Sequence, residues 1–261
     1  MPTGCRQDAD AVQTAVLHAA LARRRRIPPT PDMRAALAMI LALTACAQRP
    51  LTEAERGFLH TIHGDSVNYE TVTVVRGSIS SAFDADIPER PRTTCRERIF
   101  PPRTGPQTII FPGLTIDSTM YFTGPFWSED YAEGYPDRLR LRDAMRLAHE
   151  VTHVWQWQAR DQTKYHPFKA LSEHIAQDDP YLVEFDPDRP FLSYAYEQQG
   201  TLVEEFVCCR ALDPEGDRTA ALHAMLSRQF PGLARRDVVP LSNVELPWDG
   251  VEPRGICSDP A

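Results

Sequence analysis

Residues 136–160 read PDRLRLRDAMRLAHEVTHVWQWQAR, and this stretch decides how the chain folds. Side chains suited to burial recur in it at intervals of three and four residues, at Leu141, Met145, Ala148, Thr152 and Trp155. That spacing places them along one face of an α-helix. The sequence therefore predicts a long helix that opens at Pro136-Asp137, ends near Arg160 and is buried along one side.

The middle of this helix contains the pattern HExxH, as HEVTH at residues 149–153. Residues four apart share a helix face, so His149 and His153 can both reach a zinc ion at about 2.0–2.1 Å. Glu150 points to the side of that pair, and we expect it to take a proton from a zinc-activated water that attacks a peptide carbonyl. The pattern predicts a zinc metallopeptidase with two histidine ligands and Glu150 as the catalytic carboxylate. Two unrelated histidines on an amphipathic helix are the plainer alternative.

A catalytic zinc ion usually takes three protein ligands and one water, so a third ligand is expected. We predict Glu197, 44 residues after the motif, on a second long helix over Tyr194–Leu212. Gly200, three residues further on, would let that helix approach the motif closely. Glu204 lies on the same helical face and stays an alternative, because helical spacing alone does not separate the two glutamates.

The remaining elements indicate a mixed fold. Runs rich in β-branched and aromatic residues predict strands at Thr71–Val75, Thr108–Phe111 and Thr119–Phe122. Thr52 and Glu55 form a capping-box pattern that predicts a first helix ending at Gly64. Further helices are predicted at Phe168–Ala176 and Asp217–Phe230, with Ser193 capping the second long helix. The proline-rich region between the first two strands is expected to be an irregular loop. This order predicts an α+β fold with a small sheet packed on the long helices.

The net charge of the chain limits the classes of partner that it can bind. The formal net charge of −8 over 261 residues argues against a nucleic-acid partner, which requires a basic surface. No run approaches the roughly 20 apolar residues of a membrane-spanning helix. The expected partner is a peptide or protein substrate, and the sequence does not indicate an oligomeric state.

The N-terminal region resembles a secretory signal. Met33 is followed by one arginine, the apolar run Ala35–Leu43 and an ending, LTAC, that resembles the lipobox of bacterial lipoproteins. Lipid chains on Cys46 would hold the protein at a bilayer surface, as a periplasmic lipoprotein of the cell envelope. An ordinary Ala/Leu-rich helix is the alternative and would leave a cytoplasmic or secreted protein. The predicted segments are a leader, a zincin-like domain and a proline-rich tail, at residues 1–45, 46–230 and 231–261.

Four cysteines follow the predicted leader, at Cys95, Cys208, Cys209 and Cys257. An even number permits disulfides in an oxidising compartment, and the sequence leaves their pairing open. A cysteine-based zinc site is disfavoured, because no CxxC pair occurs.

Peptide hydrolysis needs two further features. A donor must stabilise the negative charge that develops on the carbonyl oxygen, and the candidates near the motif are Tyr194, Tyr196 and His174. Tyrosines that simply pack at a surface are the plainer alternative. The predicted strand Thr119–Phe122 is the candidate to pair with an extended substrate, since an edge strand offers unpaired backbone groups.

The motif also resembles a known family. HEVTHVWQ, residues 149–156, is similar to the HExTHVxQ signature of gluzincin-type, DUF4157-like metallopeptidases. A wider resemblance is to bacterial proteins labelled Vgr-related, through segments at Leu51–Arg56, Gly64–Tyr69, Thr119–Phe122, Trp127–Tyr131 and Tyr194–Gln199. This resemblance implies a zincin-like fold with Glu197 as the third zinc ligand. Thr201 stands where related gluzincins carry an acidic residue that supports a zinc histidine.

Two other functions remain open at this point. The chain would be a zinc-binding module without catalysis if the departure at Thr201 removes the support of the metal ligands. It would alternatively be a secreted effector or toxin-associated peptidase, which the lipobox-like ending disfavours. The leading hypothesis is a zinc-dependent peptidase tethered at the bacterial envelope.

The lipobox hypothesis has a direct test. Expressed in a bacterium from Met33, the protein should be cleaved before Cys46, carry lipid on that cysteine and fractionate with membranes. The Cys46→Ser variant should stay uncleaved or be released. Mass spectrometry of the N-terminus decides, and an intact, unlipidated N-terminus in the soluble fraction would contradict the hypothesis.

Overall fold

The structure is a computed structural model that describes residues 48–77 and 84–259, without the side chains of Asp84, Ala85, Leu171, His174 and Ile175. The chain divides into two compact units, Met1–Arg49 and Pro50–Ala261. The predicted leader and Cys46 lie outside the described residues, so the lipobox stays a prediction. None of the helices in the described part of the chain has the length and apolar character needed to cross a bilayer.

The described part of the chain is an α+β structure with several helices and small sheets. Its α-helices are α1 (Glu53–His63), α2 (Cys95–Arg98), α3 (Leu141–Gln158), α4 (Arg160–Thr163), α5 (Pro167–Ala176), α6 (Tyr196–Leu212) and α7 (Asp217–Leu226). Its strands are β1 (Gln48–Pro50), β2 (Thr73–Arg76), β3 (Asp84–Ile87), β4 (Gln107–Ile110), β5 (Gly113–Ile116), β6 (Thr119–Phe122), β7 (Leu139–Arg140) and β8 (Val244–Glu245).

The first helix confirms the capping prediction. The Thr52 hydroxyl accepts a hydrogen bond from the Glu55 amide at 3.0 Å, and the Glu55 carboxylate accepts one from the Thr52 amide at 2.9 Å. The helix ends at Gly64, which has a positive φ of 54°. Both ends of α1 are therefore set by local sequence.

The two long helices begin later than predicted. α3 starts at Leu141 because Leu139 and Arg140 form β7, which pairs in parallel with β8. α6 starts at Tyr196 with Ala195 as its N-cap, so Ser193 is not the cap. Ser193 ends a 3-10 turn, where its hydroxyl donates to the Pro190 carbonyl at 2.7 Å.

The main sheet of the second unit places β6 between β2 and β5. β2 pairs with β6 in parallel and β5 pairs with β6 antiparallel, so that Met120 of β6 lies opposite Val74 on one side and Thr115 on the other. Helix α3 packs against β5 and β6. The predicted strand Thr119–Phe122 is confirmed, and it lies in the interior of its sheet.

The expectation of an irregular loop after β2 was wrong. Residues of β3 pair antiparallel with β4, with Asp86 opposite Thr108. Thr94 caps α2 by accepting a hydrogen bond from the Glu97 amide. These elements depend on partners that are distant in sequence, and the local abundance of proline conceals them.

The core lies between α3 and its neighbours. The predicted stripe on α3 is buried throughout, at Leu141, Met145, Ala148, Thr152 and Trp155. Trp155 packs edge-on against Phe230, with ring centroids 4.9 Å apart. The burial of α3 extends around most of the helix, since His149, Glu150 and His153 are buried as well. Polar groups are thus held inside the fold, where each needs a partner.

Two disulfides fasten α6 to other segments. Cys95 at the start of α2 pairs with Cys208, and Cys209 pairs with Cys257. The four cysteines of the second unit are therefore all used in disulfides, and the pairing that the sequence left open is Cys95–Cys208 and Cys209–Cys257.

The second disulfide should contribute measurably to stability. It closes a sequence separation of 48 residues, so the Cys209→Ala, Cys257→Ala double variant should lose about 2–4 kcal/mol of unfolding free energy. Guanidinium unfolding followed by circular dichroism measures the loss. Ser258→Ala, at an exposed neighbouring position, should match the parent. An unchanged midpoint in the double variant would show that this disulfide does not stabilise the fold.

Candidate metal centre

The site is built where α3 and α6 come close together, and Gly200 makes this approach feasible. A Cβ atom at position 200 would lie 2.8–2.9 Å from three atoms of the His149 imidazole, closer than real Cβ contacts come. The His149 ring therefore occupies the space that any larger residue at 200 would fill. The structure places Gly200 in the role that the sequence predicted for it.

Three buried donor groups meet at this crossing. His149 Nε2 lies 3.1 Å from Glu197 Oε2 and 3.1 Å from His153 Nε2. His153 Nε2 lies 3.3 Å from Glu197 Oε1. In the described residues, His149, His153 and Glu197 form a group whose geometry is compatible with holding a metal ion.

The donor set fits zinc. Tetrahedral ligands at about 2.0–2.1 Å from a zinc ion lie about 3.3 Å from one another. The three separations between the donor groups, which involve both carboxylate oxygens of Glu197, are 3.1–3.3 Å and are close to that value. Two imidazoles and one carboxylate also make up a common ligand set of catalytic zinc.

His153 is oriented by a chain of amides. Its Nδ1 lies 2.8 Å from Gln156 Oε1, and the Gln156 amide donates to the Tyr196 carbonyl and to Gln199 Oε1, both at 3.0 Å. This arrangement points Nε2 of His153 towards Glu197. Burial lowers the pKa of His153, but Glu197, together with Glu150 and Gln156, outweighs that effect and raises the pKa to about 9.

Glu204 lies beside the centre without joining it. Its carboxylate is 3.6 Å from His149 Nδ1, and it forms an ion pair with Arg96 at 3.1 Å. The structure thus places Glu197 among the three donors and Glu204 behind one of them. Thr201 is fully buried, and its hydroxyl has no hydrogen-bond partner among the described residues. Negative charge near His149 Nδ1 comes from Glu204, one turn beyond Thr201.

Glu150 is held apart from the three donors by β5. The Thr115 hydroxyl donates to Glu150 Oε2 at 2.6 Å. A Cβ atom at position 113 would lie 2.8 Å from Glu150 Oε1, so Gly113 leaves the space that this carboxylate occupies. Sequence reasoning missed both residues, because β5 follows Pro112 directly and its only signal is the β-branched pair Thr115 and Ile116.

The strand order corrects the prediction of a substrate-binding edge. Thr119–Phe122 is flanked by strands on both sides, so its backbone groups are already paired. β5 is the edge strand, pairing within the described residues with β6 alone. It is also the strand that contacts Glu150 through Thr115.

The tyrosines proposed from sequence are engaged elsewhere. Tyr194 donates to the Asp186 carbonyl at 3.2 Å and Tyr196 donates to the Lys164 carbonyl at 2.6 Å. The side chain of the third candidate, His174, is outside the described residues. Both tyrosines therefore have roles in holding loops against the helices.

Two other tyrosines lie near the donors, and no sequence signal pointed to them. The ring of Tyr181 is 5.9 Å from that of His149, and burial, followed by the charge of Glu197, raises its phenol pKa. Burial, followed by Glu197, also raises the pKa of Tyr165 to about 12. Both phenols are thus protonated at neutral pH and able to donate a hydrogen bond.

A cleft of about 500 Å³ opens onto this arrangement. His149, Glu150, Glu204 and Tyr181 line its inner end. Its volume is that of a site for a small ligand or a short peptide segment. The cleft therefore gives a substrate access to the carboxylate that β5 holds.

Comparison with known proteins gives one structural similarity. No protein-family model matches the chain, and no curated protein matches it. The chain is similar to the effector domain of Pseudomonas aeruginosa VgrG2b, at 20% sequence identity and a TM-score of 0.42, over 86% of this chain and 95% of that chain. The neighbour's name agrees with the Vgr-related part of the resemblance, and the comparisons do not extend to its gluzincin and DUF4157 parts. A similarity of this degree establishes neither the fold nor the function of this chain.

The close approach at Gly200 predicts the effect of a single methyl group. Gly200→Ala should displace the His149 ring, and it should therefore lower both the melting temperature and the zinc affinity. Gly57→Ala is the matched control, because a Cβ there meets nothing within 4 Å. Thermal unfolding and zinc titration compare the two variants. Equal zinc affinity in Gly200→Ala and the parent would contradict this account of the site.

Proposed function

We propose that this chain is a zinc-dependent peptidase with a zincin-like fold. His149, His153 and Glu197 would hold the ion, and Glu150 would act as the general base. One observation carries the proposal: three buried donor groups lie 3.1–3.3 Å apart, while a second carboxylate, that of Glu150, is held by a separate partner, Thr115. That division between ligands and base is the one that metal-assisted hydrolysis requires.

Zinc is the metal that this donor set favours. Imidazole nitrogens suit zinc, whereas sites for magnesium and calcium are built from oxygen donors. When bound in such a site, zinc supplies Lewis acidity that promotes deprotonation of water and polarises a carbonyl group. Glu197 adds one negative charge to two neutral imidazoles, which partly balances a divalent cation.

Glu150 can serve as the base because only one of its oxygens is occupied. Oε2 accepts the hydrogen bond from Thr115 at 2.6 Å, which fixes the orientation of the carboxylate. Oε1 accepts no hydrogen bond from the described residues and is able to receive a proton. A positioned general base of this kind contributes about 10²–10⁴ in rate.

The edge of β5 is suited to hold a substrate in register with this base. An extended peptide pairing with β5 would run past Thr115, which contacts Glu150 directly. Backbone pairing selects for an extended chain and leaves side-chain preference to the walls of the cleft. A peptide or protein is therefore the substrate class that the strand order supports.

Tyr181 and Tyr165 are the candidates to stabilise the carbonyl oxygen. Burial and nearby carboxylates raise the pKa values of both phenols, which favours the neutral, proton-donating form further. A neutral donor aimed at a developing negative charge is worth about 10²–10³ in turnover. Tyr181 lines the cleft beside His149, which makes it the first of the two to test.

A zinc-binding module without catalysis is the competing hypothesis. It drew support from Thr201, but Glu204 places a carboxylate 3.6 Å from His149 Nδ1 and supplies charge there. Attachment of the peptidase to the cell envelope through Cys46 remains part of the proposal and is tested separately.

Three isosteric variants separate enzyme from binding module. Glu150→Gln should keep stoichiometric zinc and the fold, yet lose about 10²–10⁴ in hydrolysis, because it removes the proton acceptor alone. Glu197→Gln should weaken zinc binding and lower the melting temperature through lost metal linkage. Glu204→Gln is the control on the same helix and should retain stoichiometric zinc. Zinc content is measured on purified protein, and hydrolysis with a peptide library, with and without chelator.

Unexpected results for these variants would contradict different parts of the proposal. Loss of zinc in Glu204→Gln with retention in Glu197→Gln would overturn the ligand assignment. Unchanged hydrolysis in Glu150→Gln would overturn the role of the base. A parent protein that binds zinc but cleaves no peptide would favour the non-catalytic module.

A further inference from the structure

The cleft has a charge character opposite to that of the whole chain. Although the net charge is −8, the cleft is lined by more arginines than carboxylates: four glutamates, Glu89, Glu97, Glu150 and Glu204, and six arginines, namely Arg90, Arg92, Arg96, Arg103, Arg142 and Arg146. Several of them have structural partners: Arg90 binds both oxygens of Asp179, and Arg96 pairs with Glu204. The positive charge of the cleft that these ion pairs do not offset therefore belongs to the other arginines.

Arg142 and Arg146 carry much of that remaining charge. They lie one turn apart on α3, and their guanidinium carbons lie 5.9 and 4.8 Å from the centre of the Phe126 ring. Asp143 is the acidic neighbour of Arg146 at 3.4 Å, but Arg140 shares it at 3.3 Å. Arg142 has no ion pair in the part of the chain that the structure describes. The two guanidinium groups thus form a site with excess positive charge.

The positive charges of Arg142 and Arg146 repel each other. Burial lowers the pKa of Arg146, and the charge of Arg142 lowers it further. Arginine stays protonated under such conditions, so the repulsion is retained in the folded protein. An anion bound between the two groups would relieve it.

The pair lies along the same helix as the candidate base. Arg146 is four residues before Glu150, so the two residues are about 6 Å apart along the helix axis. Arg142 is eight residues before Glu150, about 12 Å along the axis. An extended peptide advances about 3.3 Å per residue, so these distances correspond to about two and four residues of substrate.

We propose that Arg142 and Arg146 bind a carboxylate of the substrate, within about four residues of the bond that is cleaved. This inference rests on the proposed peptidase function and adds a substrate class to it: peptides with an acidic group at a fixed distance from the scissile bond. A planar guanidinium donates two parallel hydrogen bonds to a carboxylate, which gives both strength and direction. The carboxylate comes from an Asp or Glu side chain or from the C-terminus of the peptide.

Binding can be measured without turnover. The full chain with Glu150→Gln, loaded with zinc, is titrated with fluorescent peptide pairs that differ only in Glu against Gln at one position. A second set of pairs compares a free C-terminal acid with its amide. The first set reports a side-chain carboxylate and the second a terminal one. Fluorescence anisotropy gives Kd for each peptide.

The acidic member of at least one pair should bind about tenfold more tightly, the effect expected from one charge-assisted hydrogen bond. Arg142→Gln, an exposed and conservative change, should remove most of that preference, and Arg146→Gln should do the same. Arg160→Gln removes the same charge outside the cleft, where Arg160 packs on Trp157, and should keep the preference.

Three results would overturn the inference: equal binding of acidic and amide peptides, a preference that survives in both cleft variants, or no binding of any pair. Hydrolysis by the unmodified chain is assayed in parallel. Cleavage without a preference for acidic peptides would contradict the proposed arginine subsite and would leave the proposed peptidase function in place. Binding that depends on these arginines, without cleavage of any peptide, would support the subsite and would contradict the proposed peptidase function.

Discussion

The closeness of α3 and α6 is the constraint on which the site depends. The His149 ring fills the space above Gly200, and only this contact brings Glu197 within 3.1 Å of His149. Two of the donor groups come from one helix and the third from the other, so the geometry of the donors is the geometry of the helix crossing. A small separation of the helices would break the set, whereas most of the surrounding surface is free to vary.

The rest of the fold holds α6 in this place by satisfying its buried charges. Glu205 accepts hydrogen bonds from the amides of Cys95 and Arg96 and pairs with Arg218 at 3.2 Å. Arg210 is fully buried and pairs with Asp237 at 3.0 Å. Leaving either charge without its partner would cost about 3–5 kcal/mol. Segments that look irregular in the sequence, the region around α2 and the C-terminal stretch, therefore fix the position of the ligand helix.

Features set by local sequence could be predicted, and those set by distant partners could not. The buried stripe of α3, the capping box at Thr52 and the need for a small residue at Gly200 follow from helical spacing and local sterics. β5 gives almost no local signal, because four residues after a proline are too few to show a period. Its role depends on pairing with β6, and so do the contact of Thr115 with Glu150 and the correct choice of edge strand.

Chemically identical side chains are given different tasks by their neighbours. Glu197 lies against two imidazoles, Glu204 pairs with Arg96 and lies 3.6 Å from one of those imidazoles, and Glu150 accepts a hydrogen bond from a hydroxyl. A hydroxyl donor fixes the orientation of a carboxylate and leaves its charge in place, whereas an arginine would pair with that charge. The ion pairs of the cleft arginines among the described residues are made with Glu97, Asp143, Asp179 and Glu204, and none of them is made with Glu150. The strand that supplies Thr115 therefore determines the chemistry of Glu150 as much as the motif that contains it.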